Sequence, residues 1–147
     1  MNHPRPGICT VVVALAIALT AARAWSGQRD GDDKKPSLAL KASPPVGFSP
    51  LRVRVVVEAR GGSNDYADFY CPSIEWDWGD GTVSESSSDC APYEAGKSEI
   101  QRRWTAEHLF RESSTYKVQF TIKQKNRSIA VSTGTIQVRA GIRDDIS

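Results

Sequence analysis

The chain has 147 residues, a length that favours one domain over two. Its composition, 39% hydrophobic and 24% charged, is typical of a globular protein and excludes a chain that is disordered throughout. The formal net charge is only +2, and the basic residues form no continuous stripe, so we expect no nucleic-acid partner.

The first 24 residues are expected to be a secretory signal peptide. Arg5 precedes an apolar run over residues 8–19, and the small-x-small site Ala22-Arg23-Ala24 follows it. This layout predicts cleavage after Ala24 and a secreted or periplasmic protein. The apolar run is shorter than the ~20 residues that cross a bilayer, so we expect no stable membrane span. An uncleaved membrane anchor is the alternative.

The rest of the chain divides into three parts. Residues 25–36 are polar and aperiodic, which predicts a flexible leader, and residues 140–147 predict a disordered tail. Residues 37–139 carry the periodic segments and are expected to form the domain. Removal of the signal peptide takes away Arg5 and Arg23, so 17 of the 19 basic residues remain against 17 acidic ones.

Alternating apolar and polar residues predict β-strands along the domain. The alternation is clearest over residues 51–59 and 116–123, and residues 37–42, 74–78 and 100–110 are further candidates. No segment has a helical period with caps, and turn residues recur between the strands. This pattern is typical of an antiparallel β-sandwich.

Two apolar pairs near the C-terminus have opposite parities. Ile129 and Val131 alternate out of step with Ile136 and Val138, and Gly134 lies between the two pairs. A β-bulge near Gly134 would bring both pairs to one buried face, and we predict a bulge at that position.

The most specific motif in the sequence is Trp76-Asp77-Trp78-Gly79-Asp80-Gly81-Thr82. In an extended strand Trp76 and Trp78 point to the same face, so both indoles are predicted to lie in the core. Asp80-Gly81 predicts a two-residue hairpin turn with a positive φ at Gly81. Asp77 and Asp80 are expected to brace this turn by accepting hydrogen bonds from backbone amides.

Two cysteines, Cys71 and Cys90, are left once Cys9 departs with the signal peptide. In an exported chain two cysteines predict one disulfide, and a free or metal-bound pair is the alternative. The two-residue turn would place Trp76 opposite Glu85 and the two cysteines opposite each other. This register independently favours the bridge, with a bulge allowed between the two ends of the hairpin.

The seven-residue motif resembles the signature of PKD domains (polycystic kidney disease domains), W-D-F-G-D-G-T. Weaker matches follow the family's order along the chain: Gly47, Pro50 and Leu51 upstream, and His108-Leu109-Phe110 and Ser114-Thr115-Tyr116-Lys117-Val118 downstream. The chain departs from the family in a long insertion with Cys90 and in Ser114, where the family has glycine. The resemblance implies an immunoglobulin-like antiparallel β-sandwich of about seven strands, with structural roles for the signature, His108 and Tyr116.

The same resemblance implies a non-enzymatic function, in which an exported module binds a protein or a polysaccharide. An accessory subunit of an envelope or extracellular assembly, bound through an exposed strand edge, is a second hypothesis. A third is a glycan hydrolase in which Glu75 and Asp77, two apart on one strand face, act as paired carboxylates. Because bracing of the turn already accounts for the aspartates, we predict no catalytic residue.

The candidate ligands for a metal are few. Calcium takes six to eight oxygens, and Gly79 and Gly81 occupy positions that an EF-hand gives to side-chain ligands. Zinc needs more ligands than Cys71, Cys90 and His108 supply. His108 would also have to serve any Ser-His-Asp triad. We therefore predict neither a metal nor a cofactor.

Trp104 leaves two interpretations open. It lies in a candidate strand beside Arg102 and Arg103, where an exposed indole would bind a sugar ring or anchor a protein partner. The same position is equally compatible with a tryptophan in the core.

Overall fold

The structure is a computed structural model that describes residues 35–141. The predicted signal peptide (1–24), most of the predicted leader (25–36) and most of the predicted tail (140–147) lie outside the described residues. Within the described part, no helix is long and apolar enough to cross a membrane.

The described chain is built from short β-strands joined by turns and one longer inserted loop. The elements in order are β1 (Ser37–Ser43), β2 (Val46–Phe48), β3 (Leu51–Arg60), a 3-10 turn (Ala67–Phe69), β4 (Ser73–Asp77), β5 (Val83–Ser86), β6 (Arg103–Phe110), β7 (Ser114–Gln124) and β8 (Arg127–Arg139). Each predicted strand segment is present. The segment predicted from residue 100 becomes a strand only at Arg103, and Ile100 is buried in the loop before it.

The strands form two packed sheets. One sheet has the order β1-β3-β6, and the other has the order β2-β8-β7-β4-β5. Neighbouring strands are antiparallel except β2 and β8, which are parallel. The chain therefore changes sheets between β1 and β2. This architecture confirms the predicted immunoglobulin-like β-sandwich.

The core follows from the period-two pattern of the two central strands. On β3, Val53, Val55 and Val57 have no exposed surface, while Arg52 and Arg54 on the opposite face are exposed. On β7, Phe120 and Ile122 are likewise fully buried and face β3 from the other sheet. Burial of each such side chain contributes about 1.5–3 kcal/mol, so these strands supply much of the stability.

The bulge predicted near Gly134 lies elsewhere. Gly134 pairs in regular register with Val118, and the irregular position is Ile129, which has no partner of its own on β7. Val131 consequently points outward and is 48% exposed, so its predicted burial was wrong. Gly134 has a different role: a Cβ there would lie 2.5 Å from a methyl carbon of Leu40 on the facing sheet.

The inserted loop between β5 and β6 is fastened at both ends. Near its start, the Cys71–Cys90 disulfide is present as predicted, with 6.1 Å between the two Cα atoms. At its end, Arg102 donates hydrogen bonds to the carbonyls of Ala59 (3.1 Å) and Gly61 (2.9 Å) and to Oδ1 of Asn64 (2.7 Å). The loop is thereby held against the segment between β3 and β4.

Removal of the disulfide is expected to lower the free energy of unfolding by roughly 3 kcal/mol, because the bridge closes a loop of about 20 residues in the unfolded chain. Urea denaturation of the oxidised protein and of the double variant Cys71→Ser/Cys90→Ser measures the loss. A reducing agent should destabilise the natural protein and leave the double variant unchanged. Equal midpoints for the oxidised protein and the double variant would contradict the prediction.

Candidate functional site

The signature segment forms the end of β4, the turn and the approach to β5. The Trp78 amide donates to the Thr82 carbonyl at 3.1 Å, which leaves a three-residue loop over 79–81. The predicted two-residue turn was therefore wrong, and Trp76 lies opposite Ser84 rather than one residue further along. The physical reason is a second glycine: both Gly79 and Gly81 have positive φ values (+76° and +87°), so the loop tightens one residue earlier.

This one-residue difference in register decides which β5 side chains face the core, because adjacent residues of a strand point to opposite faces. The Ser84 hydroxyl accepts a hydrogen bond from Nε1 of Trp78 at 3.0 Å. Val83 points outward and is 55% exposed. In the predicted register Ser84 would point to the opposite face, and the buried Nε1 of Trp78 would lack this hydrogen bond.

The two tryptophans of the signature lie in the core and belong to a three-ring stack. Trp76 and Trp78 are 4% and 2% exposed, and their ring centroids are 5.6 Å apart with nearly parallel planes. The His108 imidazole also stacks on Trp78, with ring centroids 4.5 Å apart. Because His108 comes from β6, this stack joins the two sheets across the sandwich.

The aspartates of the signature accept hydrogen bonds within the same hairpin end. Asp77 Oδ1 accepts from the Gly79 amide at 2.9 Å. Asp80 Oδ1 accepts from the amide (3.0 Å) and the hydroxyl (2.6 Å) of Thr82. The second oxygen of Asp80 lies 2.7 Å from Nε2 of His108, a polar link between the sheets. These groups therefore hold the turn and the stack in place.

The hydrogen bonds to Asp80 also shift its ionisation. Partial burial acts to raise the pKa of Asp80, but the hydrogen bonds from Thr82 and His108 outweigh it and lower the pKa below its ordinary value. The ionised carboxylate is therefore the form that the folded state prefers.

Asp80→Asn is expected to destabilise the protein by about 1–2 kcal/mol at pH 7. Because the folded pKa lies below the unfolded value of about 3.9, this contribution is present above that pH and is lost as the pH falls through the folded pKa. Unfolding at pH 7 and at pH 3 should show the gap between natural and variant protein closing in acid. Asp89→Asn, in the exposed loop, is the control. A gap equal at both pH values would count against the charge as its cause.

Glu75, the first of the two carboxylates proposed for hydrolysis, is committed to an ion pair. Its side chain forms a salt bridge with Lys123 of β7, and the same ammonium group lies 3.4 Å from Glu85 of β5. The hydrogen bond from Lys123 lowers the pKa of Glu75. A glycosidase acid needs a raised pKa to remain protonated near neutrality, so this arrangement does not favour the hydrolase hypothesis.

Trp104 is a core residue. Its side chain is 4% exposed and packs against Phe120 with ring centroids 5.3 Å apart. The interpretation of Trp104 as an exposed binding residue is therefore corrected. Its strand parity, shared with His108 and Phe110, is the signal that could have placed it in the core.

Tyr116 lies near the same end of the sandwich as the stack. It is 7% exposed, stacks on Phe110 at 4.4 Å, and donates a hydrogen bond from its hydroxyl to the Glu112 carbonyl at 2.9 Å. Burial raises the pKa of the Tyr116 phenol. Within residues 35–141, no group of three or more His, Cys, Asp and Glu side chains is placed to hold a metal ion.

Two of the open depressions on the described surface adjoin the signature and the disulfide. The smaller, ≈ 480 Å³, lies beside the Asp80–His108 pair. The larger, ≈ 750 Å³, lies beside the disulfide. Its lining consists of Ala67, Asp68, Tyr70, Cys71, Ala91, Tyr93, Gln124, Lys125 and Arg127. Its tyrosines were not predicted from the sequence, although Tyr70 directly precedes Cys71 and Tyr93 closely follows the second cysteine.

Comparison with known proteins gives structural neighbours only. No protein-family model and no curated protein matches the chain. The fold is similar to the PKD domain of an M14-like peptidase from a Thermoplasmatales archaeon, with 13% identity, coverage of 72% of this chain and 97% of that one, and a TM-score of 0.49. It is also similar to a CARDB domain from Pyrococcus furiosus, solved in complex with di-metal ions, with 16% identity, 72% and 90% coverage, and a TM-score of 0.45.

One of these neighbours is a PKD domain, the family that the signature resembles, and both are immunoglobulin-like. At these identities the likeness concerns the fold alone. Statements about function therefore depend on the residues of this chain.

Proposed function

We propose that this chain is an exported, non-enzymatic immunoglobulin-like module that binds a protein or a polysaccharide. The observation that carries the proposal is the open depression beside the disulfide, whose volume of ≈ 750 Å³ is in the range of ligand sites. Part of its wall comes from the insertion by which the chain departs from the PKD pattern. Loops presented on a rigid sandwich are the usual place for binding residues in such folds.

The polar groups of the signature support the non-enzymatic part of the proposal. Asp77 and Asp80 accept hydrogen bonds inside the turn, and His108 is held between Asp80 and the face of Trp78. Glu75 is paired with Lys123. Each candidate catalytic group thus has a structural partner, which leaves it poorly suited to transfer protons to a substrate.

Export is supported by two separate features. Residues 1–24 have the layout of a signal peptide, with cleavage proposed after Ala24. The Cys71–Cys90 disulfide is of the kind that persists in oxidising compartments such as the periplasm or the extracellular space. On this proposal the mature chain consists of the leader 25–36, the domain 37–139 and the tail 140–147.

Incubation of the purified protein with a panel of polysaccharides and with proteins extracted from the cell envelope tests this function. We expect saturable binding, measured by co-sedimentation or affinity electrophoresis, and no release of sugar products. Product release that disappears in Glu75→Gln would overturn the non-enzymatic proposal in favour of the hydrolase. Absence of saturable binding to every member of the panel would contradict binding itself.

A second candidate, an accessory subunit of a larger assembly, is favoured by the edges of the sheets. Within the described residues, β5 and β6 each pair with one strand only, so each leaves one edge free. A partner strand would add to such an edge through backbone hydrogen bonds. Size-exclusion chromatography with and without cell extract tests this candidate, and an unchanged elution volume would count against it.

A further inference from the structure

The depression beside the disulfide has two tyrosine rings held in fixed positions. The Tyr70 hydroxyl donates to the Ala91 carbonyl at 3.0 Å, and the Tyr93 hydroxyl donates to the Asp65 carbonyl at 2.6 Å. The two rings meet edge to face, with centroids 5.5 Å apart. Gln124 at the end of β7 donates to the Tyr70 carbonyl at 2.7 Å. A ligand would therefore meet a surface that loses little side-chain freedom on binding.

The charge of the depression is positive. Lys125 and Arg127 both line it, against the single carboxylate of Asp68. Lys125 and Asn126 have positive φ values (48° and 64°) and form the tight β7–β8 turn, which holds the two cations at the rim. Among residues 35–141 neither cation has an ion-pair partner, whereas neighbouring Lys123 is held by two glutamates. Two unpaired cations beside fixed aromatic rings favour an anionic ligand.

The position of the depression distinguishes between classes of anionic ligand. Its lining comes from the 3-10 turn, the inserted loop and the β7–β8 turn, all at the ends of strands. An acidic peptide that binds as an added strand needs a free strand edge, which these turns do not provide. A sugar ring has an apolar C–H face and a polar rim, which match a tyrosine face and the cations beside it.

We propose that the Tyr70–Tyr93 depression binds an anionic polysaccharide, with sugar rings on the tyrosines and carboxylate or sulfate groups on Lys125 and Arg127. This inference rests on the proposed binding function and names its site and ligand class. Attraction between these charges is exposed to solvent, so binding should weaken as salt is raised.

Four polymers test the proposal with the purified protein: dextran, dextran sulfate, polygalacturonate and poly-glutamate. Affinity electrophoresis should show binding to dextran sulfate, polygalacturonate or both, and little binding to dextran or poly-glutamate. The more strongly bound of the two anionic polysaccharides identifies the preferred anion. Lys125→Gln/Arg127→Gln and, separately, Tyr93→Ala should each weaken binding about tenfold or more. The matched control Lys117→Gln/Arg139→Gln removes two exposed cations from β7 and β8 and should change affinity less than about twofold.

Each contrary result bears on a different part of the proposal. Equal binding of poly-glutamate and polygalacturonate would overturn the polysaccharide in favour of an acidic protein. Unchanged affinity in Lys125→Gln/Arg127→Gln would overturn the site and leave the proposed binding function standing. No binding to either anionic polysaccharide would overturn the ligand class, and the wider panel described above decides the binding function separately. Unchanged thermal unfolding of the charge variant shows that its loss of binding is not a loss of fold.

Discussion

Trp78→Ala is expected to lower the free energy of unfolding by about 3–5 kcal/mol. The indole is 2% exposed and stacks with the rings of both Trp76 and His108, so its removal leaves a cavity where the two sheets meet. The Ser84 hydroxyl would also lose the hydrogen bond that it accepts from Nε1. Urea denaturation followed by circular dichroism at pH 7 measures the change.

Two matched variants make this result specific. Trp78→Phe keeps a ring in the stack and removes the hydrogen bond to Ser84, so its loss should be intermediate. Val83→Ala lies in the same hairpin on the exposed face and should cost less than about 0.5 kcal/mol. A loss for Trp78→Ala no larger than that of Val83→Ala would show that the stack does not hold the sheets together.

Gly79→Ala is expected to cost about 3–5 kcal/mol, the sum of a disfavoured backbone conformation and a steric clash. Gly79 has a φ of +76°, and a Cβ there would lie 2.6 Å from the carbonyl oxygen of Lys117. Since that oxygen belongs to the backbone of β7, it can move away only if a core strand moves too. The free energy of unfolding of the purified variant measures the loss.

Gly81→Ala is the matched control for this prediction. Gly81 has a similar φ of +87°, but no heavy atom lies within 4 Å of the position of an added Cβ. Its substitution should therefore cost only about 1–2 kcal/mol, the backbone contribution alone. The difference between the two variants isolates the close approach of the turn to β7. Equal losses would contradict the claim that Gly79 is required by a tertiary contact.

The strands and the core were predictable from the sequence because their signal is local. The apolar residues from Leu51 to Ala59 recur with a period of two, and the residues between them are mostly polar. This pattern is typical of a half-buried strand. The disulfide was predictable for a similar reason, since two cysteines that remain after an expected signal peptide have one simple arrangement. In both cases the prediction needed no knowledge of which strands pack across the sandwich.

The errors arose where a distant contact decides the local conformation. The β4–β5 turn has the length that Gly79 permits against the backbone of β7, and the pair Asp80-Gly81 alone does not reveal that contact. Gly134 was interpreted as a bulge, yet the methyl group that it makes room for belongs to Leu40 of the other sheet. The burial of Trp104, in contrast, could have been predicted. Trp104 and His108 are four residues apart in one strand and therefore share a face, which is visible in the sequence.

The candidate site was the least predictable part, since its lining residues lie far apart in the chain. Tyr70 and Lys125 are neighbours only because β4 pairs with β7, and Tyr93 joins them through the bridged loop. No short motif contains such a set. Only the proximity of both tyrosines to the cysteines hinted that the disulfide and the aromatic rings belong together.

The inserted loop is attached to the sandwich at both ends. The residues needed for folding are therefore distinct from the loop residues that can be changed. The disulfide holds one end, and Arg102 with the buried Ile100 holds the other, so residues 91–99 between them contribute little to the packed core. Exchange of these residues should leave the sandwich intact while it alters the rim of the depression. Related chains would then diversify their ligands in this loop, and an engineer would randomise it first to obtain new binding on an unchanged scaffold.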